Sequence, residues 1–134
     1  MDSNLKYNIQ RWDAARYLFL EKIGGLYVDF DYECISPFDE LLKDKSCCFA
    51  EEPDHLGINV NKKDNINNGL IACSPGNAFL KTAIQYIFEK IDMNQIFPNK
   101  IMEVLNTTGP MMLTKLYNEY DKKEDVYTVI PVLL

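Results

Sequence analysis

The pattern of apolar and polar positions predicts alternating helices and strands. From residue 8 to residue 23, apolar side chains recur at helical spacing and predict a helix with one apolar face, formed by Ile9, Trp12, Phe19, Leu20 and Ile23. Gly24-Gly25 ends this helix because glycine accepts the left-handed backbone of a helix end. The β-rich run from Leu26 to Tyr32 then predicts a strand that includes both Asp29 and Asp31.

The rest of the chain continues the alternation. Helices are predicted over residues 38–42, 78–92, 100–105 and 110–120, and strands over residues 47–50, 69–73 and 126–132. Residues 52–68 are polar and rich in Asn and Asp, so they predict a long loop, which in a compact domain is usually functional or mobile. No linker or repeat divides the sequence, and residues 1–134 are expected to form one α/β domain.

Composition narrows the class of protein. The net charge of −6 argues against a general nucleic-acid binder, although a bound metal ion would let an acidic protein hold a phosphorylated small molecule. No apolar run approaches the roughly 20 residues that span a bilayer, and the N-terminus lacks a secretory apolar core. The four cysteines fit reduced, mostly buried thiols, so we expect a cytoplasmic protein, with peripheral membrane association left open.

Asp29 and Asp31 are the first candidate for chemistry. On an extended strand their carboxylates would point to the same face, because successive side chains alternate. Two carboxylates on one face suit a hard divalent cation that also takes oxygens from substrate phosphates. The alternative is a chance Asp-x-Asp in a solvated turn at the strand end, since the chain carries many aspartates.

Asp13 and Arg16 are the second candidate, because both lie within the apolar stripe of the first helix. Charged groups on a buried face need partners. At a spacing of three residues the two side chains can pair with each other. In the functional interpretation they face a polar pocket, where Asp13 accepts from substrate hydroxyls and Arg16 donates to sugar or phosphate oxygens.

Together these residues carry a resemblance. The runs 12–18 and 24–31 resemble the Asp-x-x-Arg…Gly-Gly-x-Tyr-x-Asp-x-Asp signature of glycosyltransferase family 32, with seven matching positions within 19 residues. That family includes yeast mannosyltransferases and bacterial enzymes of surface polysaccharide synthesis, and the glucosylating domains of large clostridial toxins share its core signature. Residues 67–72 and 108–110 are also similar to the family, so the resemblance covers most of the chain.

The resemblance implies a GT-A fold, which is a Rossmann-like α/β sandwich. It implies transfer of a sugar from a UDP- or GDP-linked donor to a saccharide acceptor in surface polysaccharide synthesis, with retention of anomeric configuration. Asp13 and Arg16 would contact the donor sugar, Tyr27 would pack near the nucleotide's ribose or base, and Asn68 would contact the sugar or the acceptor side.

The resemblance also implies a metal site. Asp29 would touch ribose or sugar and reach the metal through water, and Asp31 would ligate Mn²⁺ or Mg²⁺. No residue is identified as a catalytic nucleophile. Family members usually begin with another strand and carry a C-terminal His…Trp element, so this chain is expected to be the central part of the domain. Sheet edges left unpaired would then favour homo-oligomers.

Two other interpretations stay open. A non-catalytic remnant or a partner-dependent fragment could keep the motif without the activity. Aspartate-based phosphatases also place Asp-x-Asp after a strand, but they typically continue with Gly-Thr or Gly-Val, whereas Tyr32-Glu33 follows here.

Overall fold

In the computed structural model, which describes residues 5–52, 65–92 and 94–130, four strands form one mixed sheet. The strands are β1 (Gly25–Val28), β2 (Cys47–Glu51), β3 (Ile66–Cys73) and β4 (Tyr127–Val129). Their order across the sheet is β1-β3-β2-β4, with β3 antiparallel to both of its neighbours and β4 parallel to β2. The predicted α/β class is confirmed, and the mixed sheet is consistent with part of a GT-A domain.

Five α-helices accompany the sheet, and their positions follow the sequence predictions closely. They are α1 (Asn8–Ile23), α2 (Asp39–Leu42), α3 (Ala78–Gln85), α4 (Lys100–Thr107) and α5 (Pro110–Glu119). The predicted helix over residues 78–92 continues past α3 as a π-helical turn, Tyr86–Lys90. α5 begins with Pro110, whose fixed backbone angle and missing N–H suit a first helical position. Within the described residues, no helix is long and apolar enough to cross a membrane.

The core lies between the sheet and the helices around Phe79 of α3. Its ring meets the ring of Phe49 from β2 edge-on, with 5.6 Å between centroids, and that of Tyr120 at 5.1 Å. Ile71 of β3 and Leu113 of α5 are fully buried in the same cluster. Burial of these side chains holds the helices against β2 and β3, the two strands between the edge strands β1 and β4.

β3 begins earlier than predicted. Residues 66–68, which are predicted to lie in a loop, form the start of the strand. The pairing between β2 and β3 shifts here. Phe49 of β2 lies opposite Ile71 of β3, and Glu51 lies opposite Ile66, so β3 has three more residues than β2 between these two pairs. This bulge removes the strict alternation of side chains, and it explains why a polar Asn-rich segment can be accommodated within a sheet. Of the predicted long loop, residues 53–64 lie outside the described residues.

The predicted buried face of α1 is wrong. Of the five apolar residues assigned to it only Leu20 is buried, and Trp12, Phe19 and Ile23 are each about two-thirds exposed. The helix is rotated so that a largely polar set faces inward: Gln10, Asp13, Ala14, Tyr17 and Leu20. Polar groups can occupy that face because partners elsewhere in the fold satisfy them, which a periodicity argument does not detect.

The predicted strand through Asp31 is also wrong, because β1 ends at Val28. The backbone N–H of Asp29 still donates to the Gly69 carbonyl of β3, at 2.8 Å. The chain then turns, with the Tyr32 N–H donating to the Asp29 carbonyl at 3.2 Å. Asp29 and Asp31 therefore do not sit on one face of a strand; they occupy the first and third positions of a turn, a setting that aspartate favours.

Gly24 provides a test of the junction between α1 and β1. Its φ is +69°, and a Cβ there would lie 2.6 Å from Pro75 Cδ and 3.0 Å from the Cys73 carbonyl oxygen. Gly76 has a similar φ of +74°, but a Cβ on it would meet nothing within 4 Å. We expect Gly24→Ala to lower the free energy of unfolding by at least about 1 kcal/mol more than Gly76→Ala, whose cost is about 1–2 kcal/mol of backbone strain. Equal losses in urea titrations would contradict the close packing of Gly24 on Pro75.

Candidate donor-sugar and metal site

Five of the residues singled out in the sequence meet in one place. Asp13 and Arg16 lie on α1, Tyr27 lies on β1, Asp29 follows β1, and Asn68 lies in the bulged part of β3. We call these five residues the polar cluster. It is assembled because α1 runs directly into β1 through Gly24, and because β1 pairs with β3.

Asp13 is almost fully buried, and both of its carboxylate oxygens are held by the protein. Oδ2 accepts a hydrogen bond from Thr108 Oγ1 at 2.9 Å, and Oδ1 accepts one from Asn68 Nδ2 at 3.2 Å. Burial raises the pKa of Asp13 from 3.8 to about 6, although the neighbouring Arg16 guanidinium and these two hydrogen bonds act in the opposite direction. The cluster therefore holds a carboxyl group that titrates closer to neutrality than an ordinary aspartate.

Arg16 joins the helix to the two strands. One guanidinium nitrogen lies 3.4 Å from Asp13 Oδ1, and the other donates to the Asn68 carbonyl at 2.6 Å and lies 3.8 Å from Asp29 Oδ1. The guanidinium also stacks on the Tyr27 ring, with Cζ 4.3 Å from the centroid. The Asp13–Arg16 pairing expected from their spacing is therefore present, and Arg16 also contacts the rest of the cluster.

One donor of Arg16 remains unused. Its Nε is buried and has no hydrogen-bond partner among the described residues. A buried donor without a partner is costly, because it has lost water and gained nothing in exchange. A sugar or phosphate oxygen bound beside Arg16 would satisfy it, which is the chemistry expected of a donor-binding arginine.

Two residues that the sequence motifs do not predict as site residues, Tyr17 and Thr108, support the cluster from the protein interior. Tyr17 is fully buried; its hydroxyl donates to the Thr108 carbonyl at 2.6 Å and accepts from Asn68 Nδ2 at 3.1 Å. Thr108 comes from the junction between α4 and α5 and is also fully buried. In the sequence, residues 108–110 indicate only a helix start similar to that of the family, and no motif there predicts a contact with Asp13.

Asp29 lies at the open side of the cluster. Its Oδ1 accepts a hydrogen bond from the Tyr27 hydroxyl at 2.5 Å, and its side chain is 41% exposed. Burial raises the pKa of Tyr27, and the hydrogen bond to Asp29 raises it further. The Tyr27 hydroxyl therefore stays protonated and acts as a donor at neutral pH. Asp29 is accordingly oriented by Tyr27 while its second oxygen, Oδ2, receives no hydrogen bond from the described residues.

Gly69 leaves space beside that second oxygen. A Cβ on Gly69 would lie 2.8 Å from Asp29 Oδ2 and 2.8 Å from Asn67 Oδ1, so two oxygen atoms border the same small volume. Asn67 is held there because its Nδ2 donates to Glu52 Oε2 at 2.5 Å and its Oδ1 accepts from the Gly69 N–H. Any side chain at position 69 would fill this space, so Gly69 keeps the Asp29 carboxylate accessible.

These residues fit a divalent cation that is bound together with the phosphates of a nucleotide. Such ions are held by one or two carboxylates together with substrate phosphates, so a complete cage of protein ligands is not required. No group of three or more Asp, Glu, His or Cys side chains converges within the described part of the chain. Asp29 presents an accessible oxygen, and Asp31 is exposed two residues later in the same turn.

Comparison with known proteins agrees with the motif. Residues 1–48 match the family described as the glycosyltransferase sugar-binding region containing the DXD motif. That match contains four members of the polar cluster, together with Asp31; Asn68 lies beyond it. No solved structure matches the chain.

Curated relatives extend the similarity beyond the motif. The chain is 31% identical to inositol phosphoceramide mannosyltransferase 1 of Schizosaccharomyces pombe, over 96% of this chain and 37% of that protein. It is 29% identical to a mannosyl phosphorylinositol ceramide synthase of Saccharomyces cerevisiae, over 89% of this chain and 28% of that protein. The chain thus spans about a third of the length of the curated relatives it matches.

Proposed function

Because this chain is a member of glycosyltransferase family 32 through its DXD-containing sugar-binding region, we propose that it binds a nucleotide-diphosphate sugar and transfers the sugar to a hydroxyl of an acceptor. The observation that carries the proposal is the convergence of Asp13, Arg16 and Asp29 from a helix and a strand end into one cluster. A UDP- or GDP-linked hexose is the donor class that we assign to it.

The described residues suggest how the donor would be held. The unused Nε of Arg16 and the oxygens of Asp13 would bind sugar hydroxyls, and Tyr27 would pack against the nucleoside. Asp29 and Asp31 would hold Mn²⁺ or Mg²⁺ against the diphosphate. A divalent cation bound there would offset the negative charge that develops on the diphosphate as the sugar departs.

Transfer then exchanges one bond for another. The bond between the anomeric carbon and the diphosphate oxygen breaks, and its electron pair leaves with the diphosphate. A new bond forms between the anomeric carbon and the acceptor oxygen, whose hydroxyl proton is released. The contribution of the cluster is to fix the sugar in place, since positioning and preorganised charge supply much of the rate enhancement in such reactions.

Two acceptor classes follow from different observations. The family's bacterial members suggest a saccharide of surface polysaccharide synthesis, with the enzyme in the cytoplasm. The relatives named as inositol phosphoceramide mannosyltransferases favour a second candidate, an inositol-phosphate lipid headgroup. Both acceptors offer a ring hydroxyl, so the same donor site would serve either.

The test is calorimetric titration of UDP-mannose, UDP-glucose and GDP-mannose, with and without Mn²⁺. We expect Mn²⁺ to tighten binding of one donor at least about tenfold, and Asp31→Ala to abolish that increment, because a carboxylate ligand is lost. Glu33→Ala removes an exposed carboxylate two residues further along and serves as the matched control.

The outcomes separate the alternatives. A metal-dependent increment that survives Asp31→Ala, or no binding of any donor, would contradict the proposal. Donor binding without transfer to any acceptor would instead support the non-catalytic interpretation.

A further inference from the structure

A groove of about 500 Å³ opens between the start of β3 and the helices α4 and α5. Glu52 and Asn65 form one wall, and Leu105, Asn106, Met111 and Lys115 form the other. Its volume lies within the range of small-molecule sites in proteins. We call it the β3–α5 groove; the donor site proposed above does not use any of these residues.

Each wall of the groove is connected to the polar cluster through one intermediate residue. On one wall, Glu52 accepts the hydrogen bond from Asn67, whose Oδ1 shares the space above Gly69 with Asp29. On the other wall, Pro110 lines the groove two residues after Thr108, the residue that holds Asp13. Asn67 on one side and the short segment from Thr108 to Pro110 on the other therefore connect the groove with the donor site.

Its walls are fixed in position before any ligand arrives. The Thr114 hydroxyl accepts from the Ile66 N–H at 3.1 Å and donates to the Ile66 carbonyl at 3.2 Å, which ties α5 to β3 across the floor of the groove. The Glu52 N–H donates to the Asn65 carbonyl at 3.1 Å. A preformed site loses little conformational entropy on binding, which is typical of small-molecule pockets.

We propose that the β3–α5 groove binds the acceptor, and that it recognises a polyhydroxylated ring such as a pyranose or a cyclitol. Leu105 and Met111 provide an apolar surface for the C–H face of a ring, while Glu52 and Asn106 provide partners for its hydroxyls. Lys115, whose Nζ lies 5.6 Å from the Tyr86 ring centroid, lines the groove and adds a cation that would turn to pair with a phosphate on the ring. The proposal rests on the proposed function, since it supplies the second substrate of the same reaction.

The test measures acceptor binding separately from donor binding. Saturation-transfer NMR would be recorded for methyl α-mannoside and for myo-inositol 1-phosphate, with UDP and diamagnetic Mg²⁺ present. Met111→Trp fills the groove, and we expect it to weaken binding of the recognised ring at least about tenfold while donor affinity stays unchanged. Ile96→Trp, at a position that is 92% exposed and outside the groove, is the matched control.

The two probes identify the acceptor class. If the ring carries a phosphate, Lys115→Ala weakens myo-inositol 1-phosphate about tenfold and leaves methyl α-mannoside unaffected. The proposal is overturned if Met111→Trp and Ile96→Trp behave alike, or if neither ring binds to protein that binds a donor. If the ring binds to the groove but no donor binds to the protein, the result would contradict the proposed donor site and leave the groove proposal standing.

Discussion

Replacing Arg16 with lysine is expected to lower kcat/KM for sugar transfer by about two to three orders of magnitude, equivalent to about 3–4 kcal/mol of transition-state stabilisation. Arg16 contacts Asp13, the Asn68 carbonyl and Asp29 at once while stacking on Tyr27. A lysine ammonium is a compact point charge without the planar fork, so it cannot reach all of these groups together.

The measurement is steady-state kinetics together with calorimetric titration of the donor. Arg11→Lys is the matched control, because Arg11 lies on the same helix and bonds only to Asn8 and the Leu5 carbonyl within the described residues. If Arg16→Lys and Arg11→Lys gave similar kcat/KM and donor affinity, the role of the guanidinium in joining α1 to the strands would be wrong.

Replacing Asp13 with asparagine is expected to change how stability depends on pH. In the folded protein burial holds the pKa of Asp13 at about 6, against 3.8 for the ordinary group. Between these values the folded state binds more protons at this site than the unfolded state, so the site costs stability as pH rises from about 4 to about 6. A shift of about two units corresponds to about 3 kcal/mol, and this cost stays in place at neutral pH.

Asparagine does not titrate, so the wild-type stability minus the Asp13→Asn stability should fall by about 3 kcal/mol across that interval. Urea unfolding at a series of pH values, without donor or divalent cation, measures the difference. The exposed Asp121→Asn substitution controls for a general loss of negative charge. A difference that stays flat, or rises with pH, would show that Arg16 and the hydrogen bonds outweigh the burial of Asp13.

The bounds of α1 could be predicted from the sequence, whereas its orientation could not. Gly24 marks the helix end through its backbone, which is a local property. The inward face depends on distant partners: Gln10 Nε2 donates to Thr107 Oγ1 at 2.8 Å, and Thr108 holds Asp13, across separations of 97 and 95 residues. The periodic pattern predicts that Trp12 is buried, because it reflects only which side chains are apolar and contains no information about those distant partners.

The membership of the polar cluster could be predicted, and its support could not. The family-like signature placed four of its members at fixed spacings, and Asn68 followed from a second similar stretch. Tyr17 and Thr108 could not be predicted as supporting residues, because a single tyrosine or threonine does not form a recognisable sequence motif. The end of β1 at Val28 was missed because the run through Tyr32 has the composition of a strand, whereas the turn is set by the Asp29 carbonyl and the Tyr32 N–H.

The bulge in β3 constrains how the chain can vary in length. Between the paired positions Phe49–Ile71 and Glu51–Ile66, β3 has three more residues than β2. Within this bulge the side chain of Asn67 donates to Glu52, and that of Asn68 donates to Asp13. Deleting one residue of the bulge would shift the segment toward regular strand pairing and move the side-chain amide of Asn67 or Asn68 away from its partner. We therefore expect natural insertions and deletions to spare residues 66–71, and redesign toward new sugars should exchange side chains there without altering the number of residues.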